Sequence, residues 1–437
     1  MFKEIVVNNG EEESKAAVLE DGVTVEFYMD RRVDHRLIGN VYKGRVENVL
    51  PGMQAAFVDI GLEKNAFLYI EDAIIGRNAG DNGAKHDYSR LNIGDYLKQG
   101  QELLVQVAKE AIGTKGPRVT TQITLPGRYL VLMPTVDYIG VSRRIESEEE
   151  RERLRDLAVL VKPKDMGLIV RTMAEGVDEE EFRRDIRVVG DLWRNAILRS
   201  AAKPAPYLVH SDLDLVQRIL RDIFAEDVDR LTLDSRNDYE RVLDLLESFD
   251  SGLKTKVFLN EKEDIFADYG VDQEIERALR RKVWLKSGGY LIIDQAEALT
   301  AIDVNTGKFV GTTNLEDTVL KTNLEAAKEI ARHLRLRNIG GIIIIDFIDM
   351  FDEEHRSAVL RLLEEEVKKD KTKISIFGIT RLGLMEITRK KTQPSLSEVL
   401  QKQCPYCGGR GTLHSEDLGR DIQPPGWYSE KQYCANR

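Results

Sequence analysis

Hydrophobic and polar positions alternate with a period of two through residues 1–35, in KEIVVNNG and then KAAVLEDGVTVEFYMD. That period predicts a hairpin or three short strands, with turns at Asn8-Asn9-Gly10 and Asp21-Gly22. Over residues 36–127 the apolar runs stay short and glycine interrupts them often (GNVYKGRVENVLPGMQAAFVDIG, NAFLYIED). A polar loop, GRNAGDNGAKHDYSR, precedes GDYLKQGQELLVQVAKE. Many short strands with glycine turns predict a small β-barrel of the OB type. The pattern then becomes mixed. YLVLMP reads as a strand, ESEEERERLRDLAVLV as a charged helix, MGLIVRT as a strand, and a longer helix follows from Asp178 to Arg199. A proline-rich connector, AAKPAPYLVH, ends in a strand, and residues 212–250 read as mainly helical with a strand at RLTLD.

From Asp272 an amphipathic helix leads into VWLKSGGYLIIDQ, a hairpin turning at Ser287-Gly288-Gly289. Two strands, a long helix from Leu315 to Arg337, the run IIIID, a helix over 353–369 and the strand KISIFGIT follow, which is the pattern of a mixed α/β sandwich. The stretch GGIIIIDFIDM reads as a strand buried on both faces, bounded by a glycine pair. It nevertheless runs into Asp346 and Asp349, and the apolar run ALTAIDVNTG likewise ends in Asp303 and Asn305. A short helix over 394–403, the segment CPYCGGRGTL and a polar tail close the chain, and no internal repeat is visible.

Composition narrows the class. The chain has 437 residues, 42% hydrophobic and 32% charged, enough for several folded domains. No window approaches a membrane span, and the N-terminus lacks the apolar core of a signal peptide. Three cysteines in this length argue for a reducing compartment, so the expectation is cytoplasmic. The net charge of −11 does not announce a nucleic-acid binder, but local patches do the binding. Residues 109–128 hold four basic side chains and one acidic one, and Arg280-Arg281-Lys282 and Arg389-Lys390-Lys391 are further basic clusters. A basic groove on an acidic protein and a set of solvated surfaces both fit these clusters.

Two strand-end acids on different strands can meet at one sheet edge, where ligands of α/β sheets collect. Carboxylates with an asparagine amide oxygen make a hard-oxygen site suited to Mg²⁺, which keeps several waters that a phosphodiester oxygen can replace. Asp303 and Asp346 could also simply cap their strands. In the barrel, Phe57 and Phe67 are candidates for base stacking or for the core. CPYCGG can offer two thiolates, Cys404 and Cys407, to zinc. Structural zinc wants four ligands, so either a second chain supplies the same pair or His414 and Cys434 complete the site.

LTAIDVNTGKFVG, TNLEAAKEIARHLRLRNIGGIIIIDFIDM and CPYCGGRGTL together resemble the ribonuclease E/G family. GRVENVLPGMQAAFVDIG, GTKGPRVTTQITLPGRYLVLMP, SRRIE and MGLIVRT extend the resemblance, in the same order, over residues 1–414. It implies a multidomain α/β fold. A ribonuclease H-like domain (1–35 and 215–278) would be interrupted by an OB-type RNA-binding barrel (36–127) and a 5′-monophosphate sensor region (128–214). A deoxyribonuclease I-like catalytic domain (279–400), a zinc-link knuckle (401–414) and a polar tail (415–437) would follow. The activity implied is Mg²⁺-dependent endonucleolytic hydrolysis of single-stranded RNA, at A/U-rich sites, leaving a 5′-phosphate and a 3′-hydroxyl. The implied roles are ribosomal RNA maturation and mRNA decay. Asp303 and Asp346 would share Mg²⁺ with Asn305 in support. Phe57, Phe67 and Lys115 would contact RNA. Arg171 and Thr172, with Gly127 and Val131 nearby, would bind a 5′-phosphate. Where the family sensor often has a second arginine this chain has Lys373, which keeps the charge and loses the planar fork.

The resemblance favours a zinc shared through Cys404 and Cys407 of two chains, hence at least a dimer. The short tail gives no expectation of the long scaffold of the largest family members, of degradosome-type assembly or of membrane tethering. Two readings compete with the endoribonuclease: a non-catalytic single-stranded RNA-binding protein with structural acids, and a DNA nuclease.

Overall fold

A computed structural model of the chain describes residues 1–31, 37–73, 91–110, 116–249, 251–262, 264–308, 315–402 and 404. The alternation at the N-terminus forms three antiparallel strands, Lys3–Asn9, Glu13–Glu20 and Val23–Arg31. Their second turn places Asp21 at φ 48° and Gly22 at φ 79°, the left-handed backbone that a tight hairpin requires. Lys3–Asn9 also pairs in parallel with Arg230–Leu233, which pairs with Val257–Leu259. This five-stranded sheet is covered on both sides. Leu220, Phe224, Val242 and Leu246 pack with Ile5, Val7 and Val18 on one face. On the other, Val6, Ala17 and Leu19 meet Phe266, Val271, Ile275, Leu336 and Leu396.

The glycine-broken region closes into a five-stranded barrel of OB-like form. Val41–Leu50, Ala55–Asp59, Ala66–Tyr69, Arg118–Thr120 and Glu102–Lys109 pair in turn, and the last returns to the first. Gly44 lies at a close approach: a Cβ there would come within 2.5 Å of the Val58 side chain. A third sheet orders Ile139–Val141, Gly167–Val170, Leu130–Met133 and Leu125–Pro126. Helices Glu148–Val161 and Glu179–Ala202 join its core, each opened by an N-cap, Ser147 and Asp178, and by three glutamates in the first turn.

The C-terminal sheet has six strands, in the order Lys282–Trp284, Tyr290–Gln295, Leu299–Asn305, Gly341–Asp346, Met385–Arg389 and Ile374–Ile379. Leu299–Asn305 and Gly341–Asp346 are its parallel pair, joined through the helix Leu315–Leu336, as a parallel crossover demands. The strand Met385–Arg389 is absent from the expected elements, although MEITR alternates with a period of two. The isoleucine run is not buried on both faces. Ile343 and Ile345 are fully buried against the two helices, whereas Ile342 is 50% exposed and Asp346 is open. Among the described residues, Leu315–Leu336 and Glu353–Val367 cover one face of the sheet, and alternate residues of its central strands look away from them. Among the described residues, no helix is long and apolar enough to cross a membrane.

Candidate active site and nucleic-acid interface

Parallel pairing sets Asp303 opposite Asp346, at the C-terminal ends of neighbouring strands and on the open face. The Asn305 side chain donates from Nδ2 to Asp303 Oδ2 at 2.7 Å. This bond holds the Asp303 carboxylate in one orientation. Partial burial, and then the charges of Asp303 and Asp349, push the Asp346 carboxyl above its ordinary value. The described residues hold no cluster of three or more His, Cys, Asp or Glu fit to ligate a metal. A pair of carboxylates is nevertheless the usual protein share of a Mg²⁺ shell completed by water and phosphate oxygens. The donor set is oxygen only and carries excess negative charge, so it fits a hard divalent cation.

Asn323, fully buried on the long helix, donates from Nδ2 to the Ile348 carbonyl at 2.8 Å, and its Oδ1 accepts the Ile348 N–H at 3.1 Å. Arg356 donates to the Met350 carbonyl at 2.7 Å. These two side chains fix the loop that follows Asp346. Sequence reasoning passed over both, although an asparagine on the apolar stripe of a helix is a signal that something is being held.

In the barrel, Phe57 and Phe67 are register partners with rings 5.9 Å apart at 72°. Both are half-buried, while Val58 and Leu68 beside them are fully buried, so they stand outside the barrel core. Tyr69 stacks on Phe67 at 6.5 Å, and the Arg118 guanidinium lies over Tyr69 at 5.9 Å. The aromatic strip is therefore longer than the two phenylalanines, as the period-two spacing of Phe67 and Tyr69 could have shown. Lys115 lies outside the described residues.

Arg171 follows the strand Gly167–Val170. Its guanidinium donates to the Gly127 carbonyl and to Asp222 Oδ1, each at 2.6 Å. Asp222 also accepts from Arg221, and although burial opposes it, Arg221 and Arg171 hold its carboxyl below the ordinary value. Thr172 shares a 2.9 Å hydrogen bond with Ser142. The Gly127 loop is built on Asp185, a buried carboxylate that accepts the N–H groups of Arg128, Tyr129 and Leu130. A Cβ at Gly127 would lie 2.5 Å from that carboxylate, which explains the glycine. Val131 stands half-buried on the adjoining strand. Lys373 is exposed. Two residues earlier, Lys371 donates to the Asp222 carbonyl at 3.1 Å, and Arg144 donates to the Asp370 carbonyl at 2.8 Å. The fold thus brings Gly127, Arg171, Asp222 and Lys371 together. Cys404 is half-buried and forms no disulfide among the described residues, and Cys407, His414 and Cys434 lie outside them.

Residues 124–392 match the family model described as the ribonuclease E/G family. The chain is 47% identical to ribonuclease G of Escherichia coli (strain K12) over 414 residues, covering 94% of this chain and 85% of that protein. It belongs to the ribonuclease E/G family. It is also 46% identical to ribonuclease G of Haemophilus influenzae over 411 residues, 94% of this chain and 84% of that protein. Identity to ribonuclease E of Nostoc sp. is 42% over 431 residues, 98% of this chain and 60% of that protein. The enzyme class expected from the motifs, an endoribonuclease of the ribonuclease E/G type, is the class of this family.

Proposed function

We propose that the chain is a Mg²⁺-dependent endoribonuclease that hydrolyses single-stranded RNA, at A/U-rich sites, to 5′-phosphate and 3′-hydroxyl ends, in RNA processing and mRNA decay. The observation that carries this reading is the register pairing of Asp303 with Asp346 on an open sheet face, in a chain of this family. Asp303 and Asp346 would hold the ion. When bound there, Mg²⁺ supplies polarisation of the scissile phosphodiester and activation of water. Asn305 keeps the Asp303 carboxylate in one orientation, and Asn323 and Arg356 keep the Asp346 loop from drifting. The aromatic strip of Phe57, Phe67 and Tyr69 offers bases a stacking surface, with Arg118 beside it for phosphate.

Arg171 and Thr172 supply donors for a 5′-monophosphate, beside the Gly127 loop and Val131 and with Lys373 or Lys371 as the second cation. Cys404 and Cys407 bind zinc jointly with the same pair of a second chain, since two thiolates leave a tetrahedral site half filled. Cutting of a labelled single-stranded RNA in Mg²⁺, abolished by EDTA, tests the reading. Binding without cutting would leave an RNA-binding protein, and equal cutting of the DNA counterpart would make it a general nuclease. Light scattering with metal analysis tests the assembly. The expected result is one zinc per two chains, with Cys404→Ser giving monomers.

A further inference from the structure

The open face of the C-terminal sheet carries aromatic and cationic side chains in register with the carboxylates. Lys282, Ile292, Asp303 and Asp346 form one row across four strands, and Trp284, Tyr290 and Asn305 form the next. Register partners project to the same face of a sheet. Lys282, Trp284 and Tyr290 therefore share the face of Asp303, Asn305 and Asp346. Trp284 is 58% exposed on the edge strand. Its ring meets Tyr290 edge-on, with centroids 5.4 Å apart. The Lys282 ammonium lies over both rings, 4.1 Å from Trp284 and 3.6 Å from Tyr290. Arg281 next to it pairs with Asp294, whereas Lys282, among the described residues, lies against the two rings.

The pair is anchored to the carboxylate strand. Gly307, two residues beyond Asn305, sits where a Cβ would lie 3.1 Å from the Tyr290 ring and 2.4 Å from the Gly288 carbonyl. The turn leaving the strand of Asp303 is thus packed on Tyr290. Neighbouring strands lie about 4.8 Å apart, so the edge strand is about 10 Å from the strand of Asp303. That is within reach of a nucleotide next to a phosphate held at the carboxylates. An exposed indole with a cation over its ring suits a base and its phosphate, and the cation offsets the repulsion that an acid pair exerts on an RNA backbone.

We infer that Trp284, braced by Tyr290 and flanked by Lys282, is a base-stacking subsite for a nucleotide adjacent to the scissile phosphate. Trp284 stacks the base and Lys282 meets the adjoining phosphate. The inference rests on the endoribonuclease reading, and the test keeps the two apart. Full-length parent, Trp284→Ala, Trp284→Phe and Lys282→Gln proteins are given an A/U-rich RNA carrying an abasic nucleotide at successive positions around the cut. One position should lower the parent's kcat/KM by about 5- to 150-fold, the ratio that corresponds to a stack of about 1–3 kcal/mol. Trp284→Ala should be insensitive at that position, Trp284→Phe should stay sensitive, and Lys282→Gln should raise KM more than it lowers kcat. Uncleavable 2′-O-methyl RNA with 2-aminopurine at the same positions gives a readout independent of cutting. The parent should quench one position and Trp284→Ala should not. If the parent cuts no RNA, the endoribonuclease reading falls, and the subsite still stands or falls on the quenching. Trp284→Ala responding to every abasic or 2-aminopurine position as the parent does would overturn the subsite. So would a Trp284→Ala protein that changes its mass in solution with RNA affinity intact, which would make this face an interface between copies.

Discussion

Two sheets of this molecule each place acids at a strand end, and only one leaves them open. In the N-terminal sheet, Asp234 follows the strand Arg230–Leu233 and accepts from Asn8 Nδ2 at 2.8 Å and from the Asn9 N–H at 3.1 and 3.2 Å. Asp238 beside it is buried and accepts from Asn9 Nδ2 at 2.5 Å. Both faces of that sheet are covered. Among the described residues of the C-terminal sheet, Asp303 accepts from the Asn305 side chain and Asp346 accepts from no side chain. Burial, and then a neighbouring acid, raises the carboxyl of Asp234 as it does that of Asp346. The protein's own donors answer that tension at Asp234. At Asp346 it remains for something from outside. A strand-end acid is thus engaged by the protein or left open according to what covers its face.

Breaking each pair should separate these roles. Asp303→Asn and Asp346→Asn should each lower kcat by at least about 100-fold, with little change in RNA affinity, because the contribution of a bound metal is concentrated in the transition state. Asp234→Asn should leave kcat near the parent value and destabilise the fold by about 1–3 kcal/mol, the usual consequence of leaving buried donors poorly matched. Rates on a labelled RNA and urea midpoints read both. A Asp346→Asn protein that cuts normally in millimolar Mg²⁺, or a Asp234→Asn protein that has lost cutting while folded, would erase the distinction.

The next effect concerns the proposed 5′-phosphate site around Arg171. A 5′-monophosphate should speed cutting relative to a 5′-hydroxyl, and Arg171→Ala should remove the difference, since one guanidinium can grip a phosphate with two parallel hydrogen bonds. Lys371→Ala should reduce the preference more than Lys373→Ala, because Lys371 is the lysine that reaches Asp222. Lys373→Arg should leave the preference equal or larger. Equal rates on both substrates with the parent protein would remove the sensor reading altogether.

Smaller still is the barrel. Phe57→Ala and Phe67→Ala should each weaken single-stranded RNA binding by about 1–3 kcal/mol. Their half-buried rings lie outside the barrel core, so the circular dichroism of the variants should match the parent. Loss of the barrel signal on either truncation would make them core residues after all.

These comparisons also mark what the sequence makes legible. The IIIID strand, the barrel and the Asp21-Gly22 turn follow from local periodicity and turn chemistry, which act over a few residues. The open face does not: a run of four isoleucines carries no alternation, so nothing in it says which side is covered. That depends on two helices, Leu315–Leu336 and Glu353–Val367, landing on one side. The cluster around Arg171 is half legible. Arg171 and Gly127 are marked by motif, but Asp222 is 51 residues from Arg171, and Lys371 joins them through a contact 149 residues long. Such partners are set by long-range packing, here of the helix that ends at Asp222. Asp303 and Asp346 were found together because each ends an apolar run, and the parallel register then sets them side by side.

The smallest effect sharpens the comparison at the acid pair itself. The folded state raises the Asp346 carboxyl, so its neutral form is favoured there over the ionised one. The resulting penalty is absent below the unfolded value, near pH 4, grows as pH rises through the folded value, and is complete above it. Asp346→Asn removes a charge that folding dislikes. In the absence of Mg²⁺ its melting temperature at pH 7 should therefore lie slightly above the parent's, and the gap should close as pH falls below about 4. Adding Mg²⁺ should reverse the order, because an ion that binds only the folded state stabilises it, and the parent alone keeps both carboxylates. Melting curves at several pH values with and without Mg²⁺ decide this. A variant that melts no higher than the parent at pH 7, and responds to Mg²⁺ equally, would mean that the two carboxylates neither repel each other nor share an ion.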